Sequence, residues 1–207
     1  NAGCITTTVQ CTSCGTDCPD GNIGDSCDDG NPNTIDDTIQ PDCSCAGIEV
    51  PANDNCDGAI SLACGDTIAG TTAGAQPSQI DVSGCGFSFL VDSNDVWYSF
   101  EANGTDNYTV TVSAGADSES WDGVLYVYSG PDCQNLVEVG CSDTTFSGGT
   151  EAVELEAPAA GTYYAQFYDY SGTDSYVVSL GCETNCSEPF PAVDDASLDS
   201  EFNGTTI

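Results

Sequence analysis

No lysine, arginine or histidine occurs in this chain of 207 residues, against 34 Asp and Glu. No side chain can form an internal ion pair, and the formal charge of -34 has only small cations, an N-terminal amine or another molecule to balance it. Self-repulsion at that density opposes compaction and is screened only beyond roughly 8–10 Å at physiological salt. The missing cations also remove function classes. Nucleic acid and anionic membranes are bound electrostatically through Lys and Arg, so neither is expected as a partner. His or Lys as a general base and Arg as an oxyanion partner are absent, and Ser or Cys nucleophiles lack their usual activating neighbour. Paired carboxylates that hydrolyse glycosides are compatible with the composition, but among so many acids such pairs arise by chance. The chain therefore reads as a non-enzyme. A crosslink of the Lys-to-Asn or Lys-to-Asp kind is equally impossible. No apolar stretch has the length of a membrane helix, so no membrane insertion is expected, and the chain, which opens on Asn1, shows no basic-plus-apolar signal segment. The chain reads as a mature protein or a fragment.

What is abundant is cysteine, 14 in all, together with 23 Gly and 9 Pro. That combination describes a loop-rich chain stapled by disulfides in an oxidising, extracellular compartment. Hydrophobic residues make up 39%, including 2 Trp, 9 Tyr and 7 Phe, enough for a core and against disorder. Seven cysteines lie from Cys4 to Cys45 and seven from Cys56 to Cys186, so each group is odd. Either one bridge joins the two regions, or a thiol is left for another chain, or a partner is missing. Bridges between sequence neighbours, such as Cys56 to Cys64 or Cys133 to Cys141, would close short loops worth roughly 2–3 kcal/mol each.

Three regions follow. Residues 1–50 form a Cys-rich module whose close spacings (Cys11-x-x-Cys14, Cys43-x-Cys45) leave little room for regular elements, so a knot of turns is expected. Residues 51–184 carry short alternating segments at 96–100, 108–112, 124–128, 136–139, 152–155, 162–168 and 176–180, separated by Gly, Asp, Asn and Ser clusters. About ten residues from one strand to the next is sandwich spacing, and no amphipathic helix is evident. The fold class expected is all-β, an antiparallel β-sandwich of jelly-roll type. Residues 185–207 look like the opening of a second copy: Asn55-Cys56, then Ala59-Ile60-Ser61-Leu62 and Ile68-Ala69-Gly70-Thr71-Thr72, is echoed by Asn185-Cys186, Ala196-Ser197-Leu198 and Phe202-Asn203-Gly204-Thr205-Thr206. Chance similarity in a Gly- and Thr-rich chain is the alternative; the favoured expectation is that the tail opens a further repeat or supplies a strand that completes a neighbouring subunit.

Calcium takes 6–8 oxygen ligands, which short Asp- and Asn-rich loops bent by glycine supply. Asp28, Asp29, Asn31, Asn33, Asp36 and Asp37 form such a loop. It has the flavour of an EF-hand loop without the final Glu or the flanking helices. A second, distributed set is Asp95, Asp122 and Asp143, which share an ion if their loops meet at one end of a sandwich. Solvated acidic turns explain both sets equally well at this level. Trp97, Trp121, Tyr126 and Tyr128 offer a sugar-stacking platform, with Trp121, between Ser and Asp, the most exposed; strand aromatics also serve as core.

Residues 24–37 through 42–47 (GDSCDDGNPNTIDD…DCSCAG) resemble a Cys-rich repeat of very large adhesins and other surface proteins of gliding-type bacteria, exported by the type IX route. Residues 53–182 are similar to bacterial pre-peptidase C-terminal domains, and loosely to CUB domains, at Asn53-Asp54-Asn55-Cys56, Asp95 to Phe100, Leu125 to Gly130, Cys141-Ser142-Asp143 and Ala160 to Tyr164. This resemblance implies a secreted sandwich used in adhesion or as a spacer and, through CUB, a calcium site at Asp122 and Asp143, although the cysteine pattern departs from CUB. Thr38, Thr67 and Thr144, each after an Asp, look like the O-glycosylation signal of these bacteria. The functional expectation is a structural and adhesive surface protein, a repeating or polymerising unit of a cell-surface fibre whose partners are copies of itself, adjacent repeats and surface glycans. The alternative is a glycan- or protein-binding accessory module of a secreted enzyme.

Overall fold

The computed structural model describes residues 17–78, 85, 93–116, 118, 120–146, 148–170, 172–173 and 175–184. Cys4, Cys11, Cys14, Asp92, Cys186 and the tail 185–207, to which several sequence expectations attach, lie outside them.

Disulfides and one hairpin organise the N-terminal region. Two-residue strands β1 (Asp17–Cys18) and β2 (Gly21–Asn22) pair with each other, and β3 (Thr34–Ile39) pairs with β4 (Cys45–Glu49). The ladder between β3 and β4 corrects the expectation of turns alone. Cys18–Cys43 ties β1 to the turn of this hairpin and Cys27–Cys45 ties the preceding loop to β4, so covalent bonds do here what a hydrophobic core is too small to do. The register slips between Ile35 and Thr38, where Asp36 takes φ +53°, a left-handed conformation that Asp tolerates better than most residues.

A single 3-10 turn at Cys56–Gly58 leads into the sandwich. Its strands are β5 (Ile60–Ser61), β6 (Thr67–Thr71), β7 (Asp95–Ala102), β8 (Asn107–Ala114), β9 (Gly123–Ser129), β10 (Val137–Ser142), β11 (Thr150–Leu155), β12 (Gly161–Asp169) and β13 (Ser175–Glu183). All seven alternating segments of the sequence are strands, β7 to β13. One sheet runs β10-β9-β12-β7-β5, the other β11-β8-β13-β6, and every pairing is antiparallel except the short one of β5 with β7.

Alternation places the core. Tyr98 and Phe100 of β7, Val110 and Val112 of β8, Leu125 and Val127 of β9, Phe167 of β12 and Val178 and Leu180 of β13 point between the sheets and are fully buried. Aromatic contacts bind the layers, Phe167 to Tyr176 edge-on at 4.6 Å and Phe100 to Tyr108 stacked at 5.6 Å. The Tyr98 and Tyr176 hydroxyls meet across the sheets at 2.9 Å, so the polar tips of two core tyrosines satisfy each other.

The larger sheet is apolar on its outer face as well. Trp97, Val124, Tyr126, Tyr128 and Tyr168 form a second buried cluster there, packed against Cys85, Cys133 and Cys141. Three long-range bridges secure the sandwich: Cys56–Cys133, Cys64–Cys182 and Cys85–Cys141. These replace the neighbour pairings. Cys56, in the 3-10 turn, takes Cys133 beyond β9; Cys64, beyond β5, takes Cys182 on β13; and Cys141 on β10 takes Cys85. No described bridge joins the N-terminal region to the sandwich.

Candidate functional site

One end of the sandwich gathers carboxylates. The start of β9, the ends of β10 and β12 and the start of β11 meet there, because antiparallel pairing sets Gly123 opposite Asp169 and Leu125 opposite Ser142. Asp122 precedes β9, Asp143 follows β10, Glu151 lies on β11 and Asp169 closes β12. The Asp122 amide donates to Asp169 Oδ1 at 3.0 Å. Glu151, fully buried, accepts from the Ser142 hydroxyl, from the amides of Thr144 (2.9 Å) and Thr145 (2.8 Å) and from their hydroxyls, and so organises the loop that carries Asp143. Phe146 and Tyr170 stand out from the same loops, 88% and 62% exposed.

Mutual repulsion is written into the titration of these acids. Burial raises the Asp122 carboxyl above its ordinary range and the neighbouring Asp169 and Glu151 raise it further; burial, Asp122 and Glu151 do the same to Asp143. Burial also pushes Glu151 up, but its hydrogen bonds from Ser142, Thr145 and Thr144 together outweigh that and hold it low. Sequence reasoning placed Asp122 and Asp143 together and missed Glu151 and Asp169, whose positions inside strands resembled ordinary alternation.

Asp95 belongs elsewhere. Though β7 starts at the same end, its side chain lies on the outer face, buried, where it accepts from the Ser78 amide (2.7 Å), the Ser78 hydroxyl and Gln166 Nε2 (3.0 Å). Gln166 in turn accepts from the Tyr128 hydroxyl at 2.9 Å, and Ser78 from Trp97 Nε1 at 2.8 Å. Burial raises the Asp95 carboxyl against the pull of these bonds. The expected trio is thus divided: Asp95 anchors a polar network inside the second cluster and does not face Asp122 and Asp143.

The signs give a prediction. Asp95, Asp122 and Asp143 have folded pKa values above the ordinary 3.8, so what they contribute is complete below that value and is lost as pH rises through their folded values. Glu151 is opposite, its contribution present above 4.5 and lost as pH falls through its lowered folded value. Melting temperature is therefore expected to fall as pH is raised from 3.8 through the folded values of these three carboxyls, with Glu151 acting in the opposite sense, and the fall should shrink in 1 M NaCl as exposed acids are screened. A melting temperature that climbs steadily over that interval in a Glu151→Gln variant would refute this electrostatic account.

The sugar platform is overturned. Trp97, Trp121, Tyr126 and Tyr128 are all buried, Trp121 completely, between the sheets against Tyr176. Gly123 makes this possible, since a Cβ there would lie 2.6 Å from the indole. A polar sequence neighbourhood misled because Ser120 and Asp122 flank a residue that turns inward before β9.

In the N-terminal loop, Asp28, Asp29 and Asp37 bring one carboxylate oxygen each within 4.8 Å of the others. Their other bonds are local: Asp28 Oδ1 accepts from the Gly30 amide (2.8 Å), Asp29 Oδ1 from Asn31 (2.7 Å) and Asp37 Oδ2 from Asp29 (3.1 Å). Asp37 Oδ1 is buried with no hydrogen-bond partner among the described residues. Asn31 is used in a turn to Asn33, and Asp36 stands outside the three-acid group. Of the threonines, Thr67 and Thr144 are exposed, whereas Thr38 is half-buried and accepts from Gln40 Nε2 at 3.1 Å.

The bacterial pre-peptidase C-terminal domain family matches residues 96–169, from β7 to β12, a stretch that holds Asp122, Asp143, Glu151 and Asp169. No curated protein matches the chain. Among solved structures, it is similar to the pre-peptidase C-terminal domain of collagenase from Bacillus anthracis, with 18% identity and TM-score 0.39 over 59% of this chain and 93% of that one. It is also similar to the K1 cleaved adhesin domain of Lys-gingipain from Porphyromonas gingivalis W83, with 20% identity and TM-score 0.30 over 49% of this chain and 70% of that one.

Proposed function

We propose that this chain is an extracellular, non-catalytic structural and adhesive surface protein, a repeating or polymerising unit of a cell-surface fibre stabilised by disulfides and calcium. The observation that carries the reading is the sequence echo between the tail and the segment that builds β5 and β6. It extends to Gly204 at the place of Gly70, a position where Tyr176 leaves no room for a side chain: a Cβ there would lie 2.4 Å from its hydroxyl. The echo keeps in the tail the small residue that this constraint demands in β6. Five disulfides among the described residues support an oxidising, extracellular setting. Electron microscopy of native material tests it: regular filaments are expected, and isolated monomers at all concentrations would overturn it.

Calcium is the stabilising ion in this reading, and Asp28, Asp29 and Asp37 would hold it. Their donors are hard oxygens, and the buried, unpartnered Asp37 Oδ1 supports a missing positive neighbour. An ion bound only to the folded state at 100 times its Kd adds about 2.7 kcal/mol. Melting temperature is expected to fall on chelation and to recover with CaCl2 but not with NaCl, and the shift should vanish in Asp37→Asn. Identical melting with and without chelator would remove calcium from the proposal.

The second reading, a glycan- or protein-binding accessory module of a secreted enzyme, draws on the family match over residues 96–169. It differs in placing function at the Asp122–Asp143 end with its exposed Phe146 and Tyr170, and in requiring no filament.

A further inference from the structure

A buried carboxylate in a chain without cations must be met by hydrogen-bond donors, and the donors that meet Asp95 carry chemistry of their own. Alternation puts Asp95 and Trp97 of β7, Tyr128 of β9 and Gln166 of β12 on the outer face of the larger sheet, where all four are buried. Ser78, half-buried, reaches this face from the segment that follows β6. Asp95 Oδ2 accepts from two side chains at once, the Ser78 hydroxyl and Gln166 Nε2 at 3.0 Å. A hydroxyl and a carboxamide thus meet at one carboxylate oxygen. Trp97 Nε1 donates to Ser78 Oγ at 2.8 Å, which leaves that oxygen one lone pair, and the Tyr128 hydroxyl donates to Gln166 Oε1 at 2.9 Å.

Nucleophile, base, polarised carbonyl and leaving group are the components of an acyl transfer. We propose that Ser78 Oγ and Gln166 Cδ become joined as an ester within the folded chain, with release of ammonia. Asp95 takes the Ser78 proton as Oγ attacks Cδ, and the Tyr128 hydroxyl holds Oε1 as it gains charge. The Cδ–Nε2 bond then breaks. Nε2, already on Asp95 Oδ2, collects the proton there and departs as ammonia, so Asp95 ends as it began. One C–O bond replaces one C–N bond, and no oxidant, reductant or added reagent is needed. Burial raises the Asp95 carboxyl and so makes it a stronger base than a solvated aspartate. The same burial keeps water from the ester.

Glu151 shows what the arrangement at Asp95 adds. It too is buried and accepts from the hydroxyls of Ser142, Thr144 and Thr145, but among the described residues its donors include no carboxamide to be attacked. A link through Ser78 and Gln166 also suits a chain in which no lysine is available for an isopeptide. It would tie the segment after β6 to β12, which lies between β9 and β7 in the larger sheet. The bond is independent of the fibre reading, since a monomer carries it equally.

Mass spectrometry of the folded full chain, with its disulfides reduced afterwards, should find it lighter than its sequence by one ammonia. Trypsin has no site here, so cleavage beside acidic residues is used. It should release one product that contains both Ser78 and Gln166 and that hydroxylamine splits in two. Ser78→Ala and Gln166→Met, each checked for an unchanged β-sheet circular dichroism spectrum, should keep their full mass. Tyr128→Phe retains the ring and should slow the appearance of the link about a hundredfold, followed by mass from the onset of folding. Folded wild type at its full sequence mass would overturn the proposal, and so would an ammonia loss that persists in Ser78→Ala.

Discussion

Replacing Cys64 and Cys182 together by alanine is expected to lower the unfolding free energy by about 4 kcal/mol. The bridge spans 118 residues, the longest separation among the described disulfides. In the chain-entropy treatment a loop of that length restrains the unfolded chain by nearly 5 kcal/mol. Cys56–Cys133 survives in the variant and already shortens the path between the two sites by about half, which takes off roughly 0.6 kcal/mol because the dependence is logarithmic. Cys27–Cys45, with a separation of 18, should matter less, at about 3 kcal/mol. Guanidinium unfolding of the two double variants gives both numbers. A loss under about 1 kcal/mol for Cys64 and Cys182 would mean that the bridge strains the native state as much as it restrains the unfolded one. The effect is large against the 5–15 kcal/mol typical of whole domains. A chain that cannot form a single side-chain ion pair and repels itself throughout has reason to rely on such bonds.

Trp121→Ala is expected to cost about 3–5 kcal/mol, enough to unfold much of the protein at 37 °C. The indole is completely buried between the sheets, in contact with Tyr176 and seated over Gly123, so its removal leaves a cavity the surrounding strands are poorly placed to fill. Trp121→Phe should be far milder, under about 1.5 kcal/mol. Its ring retains most of the packing, and it dispenses with an indole N–H that has no hydrogen-bond partner among the described residues. Thermal and chemical denaturation of both variants tests the pair. An alanine variant as stable as wild type would return Trp121 to the surface and reopen a role in ligand stacking.

Both predictions turn on facts that residue order hides. Spacing and alternation made β7 to β13 legible, since a strand half-buried in a sandwich must repeat every second residue whatever it packs against. The same alternation cannot say which face is covered: on β7 and β9 the outward residues Trp97, Tyr126 and Tyr128 are as buried as the inward ones, because a second cluster held by Cys85–Cys141 lies over them. The β3–β4 hairpin was obscured by its cysteines and by the slip at Asp36, which breaks the period. At the acidic end, Asp122 and Asp143 were found from loop positions, while Glu151 went unnoticed because a buried carboxylate held by Ser142, Thr144 and Thr145 looks in sequence like any outward Glu on a strand.

Composition and local pattern alone determined that this is an all-β, disulfide-stapled chain without side-chain ion pairs and without the residues of common catalysis. These are consequences of residue type and near spacing, which act before the chain folds. Tertiary structure alone decided the partners of the described cysteines, the burial of Trp121 and the separation of Asp95 from Asp122 and Asp143. Each depends on which distant strands are brought side by side, and that is settled by the sum of many weak contacts across two sheets.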